Sequence, residues 1–295
     1  MGTLTTRKAK EGPMKYGASF PVGDWGDVIA LRDFAQAVEG SGFDYVSLST
    51  HLLAMPPGSA PGERPHHYLG PYREQMVLFS YLAGVTQRIR FRTAVLILPL
   101  YPTALLARLA ADASIITGGR LELGVGISWN PREYEALGQD MRVRGRRFEE
   151  QIVLLRRILT EPFVSFEGEF HHLESIGLNQ LPPPVPIYLG VGADDRLLHR
   201  AARLGDGWIP LTDPVEPLVR LRRFLQEQGK DFDSFMVSGR LMAGTGGPKE
   251  WVEHTRRPHN AGIRDMEIFP GGGLIGSAAV AKILEARDVL SQEFG

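Results

Sequence analysis

His51 is the side chain in this sequence best suited to exchanging a proton. Imidazole gains and loses protons near neutral pH more readily than any other side chain, and His51 closely follows FDYVSLS at 43–49, a short run rich in β-branched and aromatic residues. The alternative interpretation is a histidine hydrogen-bonded within its loop. The sequence contains no cysteine, which excludes a thiol nucleophile, a thiolate metal site and a disulfide framework.

Two glycine-containing segments are candidates for binding a ligand through the backbone. In the segment 124–130, small residues permit a ligand to approach the backbone closely. Trp129 offers an aromatic wall, and Asn130 carries an amide that donates and accepts hydrogen bonds. The segment 189–195 opens a predicted helix, where backbone N–H groups suit a phosphate. Its alternative interpretation is an ordinary strand-to-helix turn with Asp194 as the helix N-cap.

Glycines and paired histidines elsewhere point less directly to a ligand. Gly271–Gly273 follows the last predicted strand and is either a second anion-binding loop or a flexible connection. The pairs His66-His67 and His171-His172 raise the question of a metal. Neighbouring residues on an extended chain point in opposite directions, so we expect no metal site.

Strands and helices that alternate along the chain must position these residues. Short β-branched or aromatic runs predict eight strands, at 15–20, 43–49, 89–97, 120–127, 186–191, 207–211, 235–242 and 265–269. Apolar residues three and four apart predict a helix after each strand, at 27–39, 72–84, 102–117, 145–160, 194–203, 215–229, 248–260 and 277–292. This order predicts an α/β fold, a (βα)8 TIM barrel with insertions.

A doubly wound nucleotide-binding sheet fits the sequence less well than a barrel. That fold calls for G-x-G-x-x-G at the start of the first helix, whereas the first predicted strand is followed by Phe20-Pro-Val-Gly-Asp24. In a barrel, residues at the carboxyl ends of the strands face the ligand, which selects His51 and the segments 124–130 and 189–195.

Two segments are longer than ordinary connections, and long loops in compact domains are often functional. The segment 50–71 follows the second strand and therefore lies at the C-terminal face of the barrel. Its apolar side chains favour an apolar or aromatic substrate; they include Leu52, Leu53, Met55 and Tyr68. The segment 161–185 predicts a structural hairpin around Glu167-Gly168 at the opposite face.

The composition sets the remaining expectations. The chain has 33 Lys and Arg against 34 Asp and Glu, so no general attraction to nucleic acid or an anionic membrane is expected. It lacks both a run of about 18 apolar residues and a signal-peptide pattern, which predicts a cytoplasmic protein. Residues 1–13 are polar and aperiodic, so we expect a disordered tail before one barrel domain at 14–295.

Several separated stretches resemble the bacterial luciferase-like superfamily, and specifically its oxidoreductases that depend on the deazaflavin F420. The most specific stretch is 93–138, and the helix at 146–159, the segment 186–210 and the strand ending before His51 are also similar. The resemblance implies a (βα)8 barrel that binds F420 or FMN at its C-terminal mouth, and usually a homodimer.

The resemblance also implies roles for single residues. His51 matches a histidine beside the reactive ring in the family's sugar-phosphate dehydrogenases, where the preceding residue is commonly Asp instead of Thr50. An acidic residue of those enzymes falls near Ile127, and both departures argue against that substrate class. Ala94 and Val95 match a non-prolyl cis peptide that forms a bulge against the deazaflavin.

Further cofactor contacts are implied in the loop at 190–193, which matches a phosphate-binding loop, and at Asn130, which matches a position near the cofactor's tail or ring edge. The predicted catalytic residue is thus His51, and the predicted cofactor-binding residues are Thr50, Ala94, Val95, Asn130, Gly190, Val191, Gly192 and Ala193.

These inferences predict an F420-dependent oxidoreductase that moves a hydride between C5 of the deazaflavin and an unidentified small organic substrate. His51 would donate or accept the accompanying proton. The first alternative is an FMN-dependent luciferase-like monooxygenase, in which reduced flavin activates oxygen. The second is a non-catalytic protein that binds flavin or F420.

Overall fold

A computed structural model of the protein describes residues 12–21, 27–54, 56, 72–271 and 273–295. Its strands are β1 (Lys15–Ser19), β2 (Tyr45–Leu48), β3 (Arg90–Thr93), β4 (Leu96–Ile97), β5 (Leu121–Gly126), β6 (Val164–Glu167), β7 (His172–Ile176), β8 (Ile187–Val191), β9 (Gly207–Pro210), β10 (Met236–Met242) and β11 (Asp265–Phe269). Its α-helices are α1 (Val28–Gly40), α2 (Gln75–Ala83), α3 (Thr103–Ile116), α4 (Pro131–Ala136), α5 (Arg144–Thr160), α6 (Asp195–Leu204), α7 (Leu218–Glu227), α8 (Pro248–Asn260) and α9 (Gly276–Phe294).

Parallel strands close into an eight-stranded barrel, which confirms the predicted fold. Around the barrel the order is β1, β2, β3 with its continuation β4, β5, β8, β9, β10 and β11, and β11 pairs with β1. Each predicted strand and helix has a counterpart. Between β3 and β4, the Ala94–Val95 peptide is cis, as expected. Among the described helices, none is long and apolar enough to span a membrane.

A layer of buried charged side chains fills the N-terminal part of the barrel. Arg92 donates to both carboxylate oxygens of Asp265 at 2.9 Å each and to Glu122 at 2.7 Å. The Tyr45 hydroxyl donates to Asp265 at 2.7 Å, and its ring lies 3.5 Å from the Arg92 guanidinium. Because this layer fills the N-terminal end of the barrel, a ligand can enter only from the C-terminal mouth.

The predicted hairpin forms from β6 and β7, and it packs along the outside of α5. Glu150 of α5 accepts the Glu169 and Phe170 backbone N–H groups at 2.7 and 2.9 Å. His171 lies between Glu150 and Thr103. Its Nδ1 is 2.6 Å from Oε1 of Glu150, and its Nε2 is 2.6 Å from Oγ1 of Thr103. The segment starts at the face opposite the mouth, as expected, but its tip returns to the N-terminal half of α5. His171 thus fastens the hairpin to the barrel.

Candidate functional site

His51 lies directly beyond β2 at the C-terminal mouth, paired with a carboxylate. Its Nδ1 is 2.9 Å from Oε2 of Glu133. The Glu133 side chain is fully buried, whereas that of His51 keeps 14% of its surface exposed. An ionised carboxylate only accepts hydrogen bonds, so His51 donates through Nδ1–H and a neutral ring carries its lone pair on Nε2. Glu133 therefore sets both the tautomer and the orientation of the imidazole.

Glu133 is itself held by donors from two loops. Its Oε1 accepts the Leu52 backbone N–H at 2.7 Å and the Leu53 N–H at 3.4 Å. Its Oε2 also accepts the Asn130 side-chain amide at 3.2 Å. Together with His51, these donors compensate a buried negative charge, which would otherwise be costly. The same bonds fasten the loop after β2 to the loop after β5.

The short helix α4 brings Glu133 to this position. Asn130 is the N-cap of α4, and its side-chain oxygen accepts the Arg132 N–H at 3.0 Å. Pro131 occupies the first helical position, where its missing N–H is harmless. Three residues after an N-cap, a side chain can reach back towards the cap. Sequence reasoning missed Glu133, although the Asn-x-x-Glu spacing was the signal that could have identified it.

Two aromatic side chains contact His51, and exposed apolar side chains lie close to it in the sequence or in this contact. The rings of Tyr72 and Trp129 meet the imidazole edge-on, with centroids at 5.7 and 6.0 Å. Trp129 and Leu53 are 37% and 39% exposed. Exposed apolar surface next to a polar ring is the arrangement expected where a flat, partly apolar ligand binds.

Thr50 and Asn130 are both buried and engaged in protein hydrogen bonds. The Thr50 hydroxyl donates to the backbone carbonyl of either His51 at 3.2 Å or Arg73 at 3.3 Å, and Asn130 supports Glu133. The structure thus gives both residues a supporting place behind His51. The cofactor contacts predicted for them remain predictions.

Gly190, on β8, and Gly192, directly after this strand, have different surroundings. A Cβ at Gly190 would lie 2.5 Å from Cγ1 of Val95, so this glycine is needed for packing. A Cβ at Gly192 would meet only Cδ1 of Leu197, at 3.4 Å, which leaves its backbone approachable. Val191, on β8, has its carbonyl fixed by the Trp208 indole N–H at 2.9 Å.

The helix that follows this loop begins as the alternative interpretation predicted. Asp194 is the N-cap of α6, and its side chain accepts the Leu197 N–H at 3.0 Å. Ala193 lies between Gly192 and this cap. A capped helix start and a phosphate contact through Gly192 are compatible, because the cap uses a different N–H group.

Some predicted residues lie outside the described part of the chain, namely His66, His67, Met55, Tyr68 and the central glycine of Gly271–Gly273. Within the part that is described, no group of three or more His, Cys, Asp or Glu side chains is placed to hold a metal ion.

Comparison with known proteins places this site in a family context. A sequence profile described as luciferase-like monooxygenase matches residues 5–265. An uncharacterized protein of Mycobacterium tuberculosis is 32% identical over 276 residues, which cover 81% of this chain and 95% of that protein.

Relatives named for two different cofactors also match. The F420-dependent glucose-6-phosphate dehydrogenase of Kineococcus radiotolerans is 31% identical over 183 residues, 61% of this chain and 51% of that enzyme. The FMNH2-dependent dimethylsulfone monooxygenase of Pseudomonas fluorescens is 27% identical over 197 residues, 65% of this chain and 50% of that enzyme.

A solved structure shows the same fold at low sequence identity. The F420-dependent secondary alcohol dehydrogenase in complex with an F420-acetone adduct has a TM-score of 0.76 and 15% identity, covering 95% of this chain and 99% of that one. The profile match spans most of the chain and agrees with the closed barrel and its mouth. The chain therefore belongs to the luciferase-like monooxygenase family.

Proposed function

We propose that this protein is an F420-dependent oxidoreductase that transfers a hydride between C5 of the deazaflavin and a small organic substrate. The observation that carries the proposal is the pair of His51 and Glu133 at the barrel mouth, 2.9 Å apart. A partly exposed imidazole held in one tautomer by a buried carboxylate is a typical general acid or base. Relatives named for F420 support the choice of cofactor.

The residues around His51 fit a flat cofactor with a phosphate-bearing tail. The exposed faces of Trp129 and Leu53 offer apolar contact for a ring. Gly192, at the end of the neighbouring strand β8, leaves its backbone open to a phosphate. Both features suit F420 and also FMN, because each combines a ring system with a phosphate.

The chain's own residues then orient the reactants and handle the proton. When bound, F420 supplies the hydride chemistry at C5. His51 accepts or donates the accompanying proton at Nε2, and Glu133 keeps that nitrogen directed away from the carboxylate. The negative charge of Glu133 stabilises the imidazolium that forms. Tyr72 and Trp129 limit the access of water to the imidazole.

An FMN-dependent monooxygenase is the second candidate, and the apolar surface of Trp129 and Leu53 favours it. Reduced flavin chemistry with oxygen benefits from a wall that excludes water. A non-catalytic binding protein would have no use for a carboxylate buried to orient His51.

Anaerobic and aerobic assays of the purified protein separate these three functions. Reduced F420 or reduced FMN is supplied with a panel of aldehydes, ketones and unsaturated carbonyl compounds, and oxygen uptake is recorded in parallel. We expect oxidation of reduced F420 that requires an organic acceptor and proceeds without oxygen. Protein-stimulated oxygen uptake with reduced FMN would support the monooxygenase instead. Binding without turnover of either cofactor would support the non-catalytic protein.

We also infer a homodimer, with α1 and α2 contributing to its interface. Val28 and Ile29 of α1 are 51% and 52% exposed, and Val77 of α2 is 71% exposed. Tyr81 of α2 donates to the Val28 carbonyl at 3.3 Å, which places these apolar side chains near one another. Clustered exposed apolar side chains are typical of protein–protein contacts.

A further inference from the structure

The proposed cofactor contacts occupy only one half of the barrel mouth. They lie on or directly after β2, β3, β5 and β8, which are consecutive around the barrel. The other half of the mouth is formed by β9, β10, β11 and β1. This second half has its own opening.

The opening is a separation of β9 from β10. These strands pair only at Met236 with Gly207 and at Val237 with Trp208, whereas β10 continues to pair with β11 as far as Met242. β9 ends at Pro210, which has no N–H to donate. Beyond Val237, the edge of β10 that faces β9 thus lacks a neighbouring strand.

A side chain from α8 takes over part of the missing pairing. Nε2 of His254 is 2.9 Å from the backbone carbonyl oxygen of Arg240. The imidazole therefore donates a hydrogen bond to the edge of β10 that faces β9. This contact holds the separation open at one end, because it satisfies a carbonyl that would otherwise need a strand partner.

A cavity of about 710 Å³ lies in this separation, a volume within the range of small-molecule sites. Its apolar lining includes Leu211, Leu241, Met242 and Trp251. Arg240 and Met242 alternate with Leu241 along β10, so the lining includes residues whose side chains lie on both faces of this strand.

Two of the three carboxylates along this cavity lie near an arginine, and the third accepts a backbone N–H. Asp213 pairs with Arg257 at 2.5 Å across the rim. Glu250 accepts the Gly247 N–H at 3.1 Å at the start of α8. Glu253, the other acidic residue of the lining, lies 3.7 Å from Arg256.

Arg240 is the cation of the lining that these carboxylates leave uncompensated. Its guanidinium is exposed and lies 4.6 Å from the centre of the Phe269 ring. Within the described ranges, no carboxylate oxygen is at ion-pair distance from it.

The strand neighbour of Arg240 is a further carboxyl group, which lies outside the cavity lining. Glu267 pairs in register with Arg240 on β11 and is buried. Burial raises the pKa of the Glu267 carboxyl, and the charge of Arg240 opposes that rise. Ser47 donates a hydrogen bond to the same carboxyl.

We propose that the cleft between β9 and β10 binds the negatively charged group of a small organic anion, with Arg240 as its partner. Leu211, Leu241 and Met242 would pack against the apolar part of that molecule. A guanidinium binds carboxylate, sulfonate and phosphate groups through paired N–H donors. That this anion is the substrate rests on the proposed function, since β9 and β10 belong to the half of the barrel opposite the proposed cofactor contacts. The anion site itself does not depend on it.

Two fluorescent probes that differ by one charged group test this proposal. 8-Anilinonaphthalene-1-sulfonate is an apolar aromatic anion, and N-phenyl-1-naphthylamine is the same body without the sulfonate. Each is titrated into the wild-type protein, Arg240→Gln, Arg240→Lys and the control Arg108→Gln. Arg108 is on α3, pairs with Asp112 at 2.7 Å, and neither residue belongs to the cavity lining.

We expect Arg240→Gln to weaken binding of the anionic probe about tenfold or more, the effect of losing a charged hydrogen-bond partner. Arg240→Lys should retain part of the affinity for the anionic probe. The control Arg108→Gln should bind both probes as the wild type does, and binding of the neutral probe should not change in any variant. Unchanged binding of the anionic probe in Arg240→Gln, or an equal loss for both probes, would overturn the site.

A separate titration with F420 and FMN distinguishes this site from the cofactor site. Arg240→Gln should bind either cofactor as the wild type does. Loss of cofactor binding in this variant would assign Arg240 to the cofactor and overturn the proposal. Absence of cofactor binding in the wild type would instead contradict the proposed function and leave the anion site standing.

Discussion

Under the proposed function, His51 controls one proton at the barrel mouth. The imidazole can exchange that proton usefully only if its two nitrogens have different tasks. Glu133 assigns them by accepting from Nδ1 at 2.9 Å. Asn130 and the Leu52 backbone in turn fix the carboxylate. We therefore regard Glu133 as a positioning residue that acts through His51.

Glu133→Gln should lower turnover by about 10²–10⁴-fold, the usual contribution of general acid–base assistance. The glutamine keeps the shape of the side chain, but its amide can present N–H to Nδ1 and so favour the wrong tautomer. His51→Asn should cause a loss of similar size. The double variant should be little worse than either single one, because both changes remove the same function.

Steady-state kinetics with an identified substrate checks this prediction, together with F420 titration of each variant. Cofactor affinity should change much less than turnover. Additive losses in the double variant would mean that Glu133 and His51 act independently. Full turnover with an unchanged pH profile in His51→Asn would mean that His51 only positions the ring.

Glu267 makes stability depend on pH. Burial raises the pKa of its carboxyl above the ordinary value of 4.5, so the folded state holds this proton more tightly than the unfolded state. Its contribution to stability is complete below 4.5 and is lost as pH rises through the folded-state pKa. Glu267→Gln has no proton to lose and can still accept the Ser47 hydroxyl.

Urea unfolding from about pH 4.5 to neutrality measures this effect. The free energy of unfolding of Glu267→Gln, relative to wild type, should rise across that window. A difference between the two proteins that stays constant with pH would show that Glu267 does not titrate there.

At the scale of elements, the sequence predicted the regular framework better than the site. Strands such as β5 are buried along their whole length, so their apolar runs are visible without a structure. Helix α4 has six residues, too few to show a helical period, and Glu133 on it was therefore missed. Arg92 was missed for another reason. A charged residue inside a strand gains its partners only when the barrel closes.

The loop between β8 and α6 offers a test of phosphate binding. Gly192→Ala should weaken F420 binding about tenfold, or 1.4 kcal/mol, because a methyl group would stand between the backbone and the phosphate. Its folding should be unaffected, since the added Cβ meets Leu197 at an ordinary 3.4 Å. Gly40→Ala is the matched control, because its Cβ would contact nothing within 4 Å.

Fluorescence titration and thermal unfolding of both variants give the answer. If Gly192→Ala binds F420 as the wild type does, the phosphate lies elsewhere, and Gly271–Gly273 becomes the next candidate. If Gly192→Ala loses stability as well, the loop does not accommodate a methyl group at this position, which contradicts the 3.4 Å spacing to Leu197.

The whole molecule divides into parts with separate tasks. The charged layer around Arg92 fills the N-terminal end of the barrel. One half of the mouth carries His51 and Gly192, and the other half carries the cleft with Arg240. A cofactor and a substrate could thus approach each other from opposite sides of one opening.

The outer surface of α2 tests the inferred dimer. Val77→Glu should shift the protein from dimer to monomer, because a buried, unpaired carboxylate disfavours an apolar interface. Val219→Glu on α7 is the matched control, since Val219 is 75% exposed and Val77 is 71% exposed. Light scattering after size-exclusion chromatography reports the mass. A monomeric wild type, or equal behaviour of the two variants, would contradict the inferred interface.

The identity of the cofactor is the claim on which the proposed function depends most directly. Equilibrium titration of the purified protein with F420 and with FMN, followed by fluorescence quenching under identical conditions, measures it before any substrate is known. We predict that F420 binds at least about tenfold more tightly than FMN, a difference of about 1.4 kcal/mol or more. Equal or tighter binding of FMN would contradict the assignment as an F420-dependent oxidoreductase.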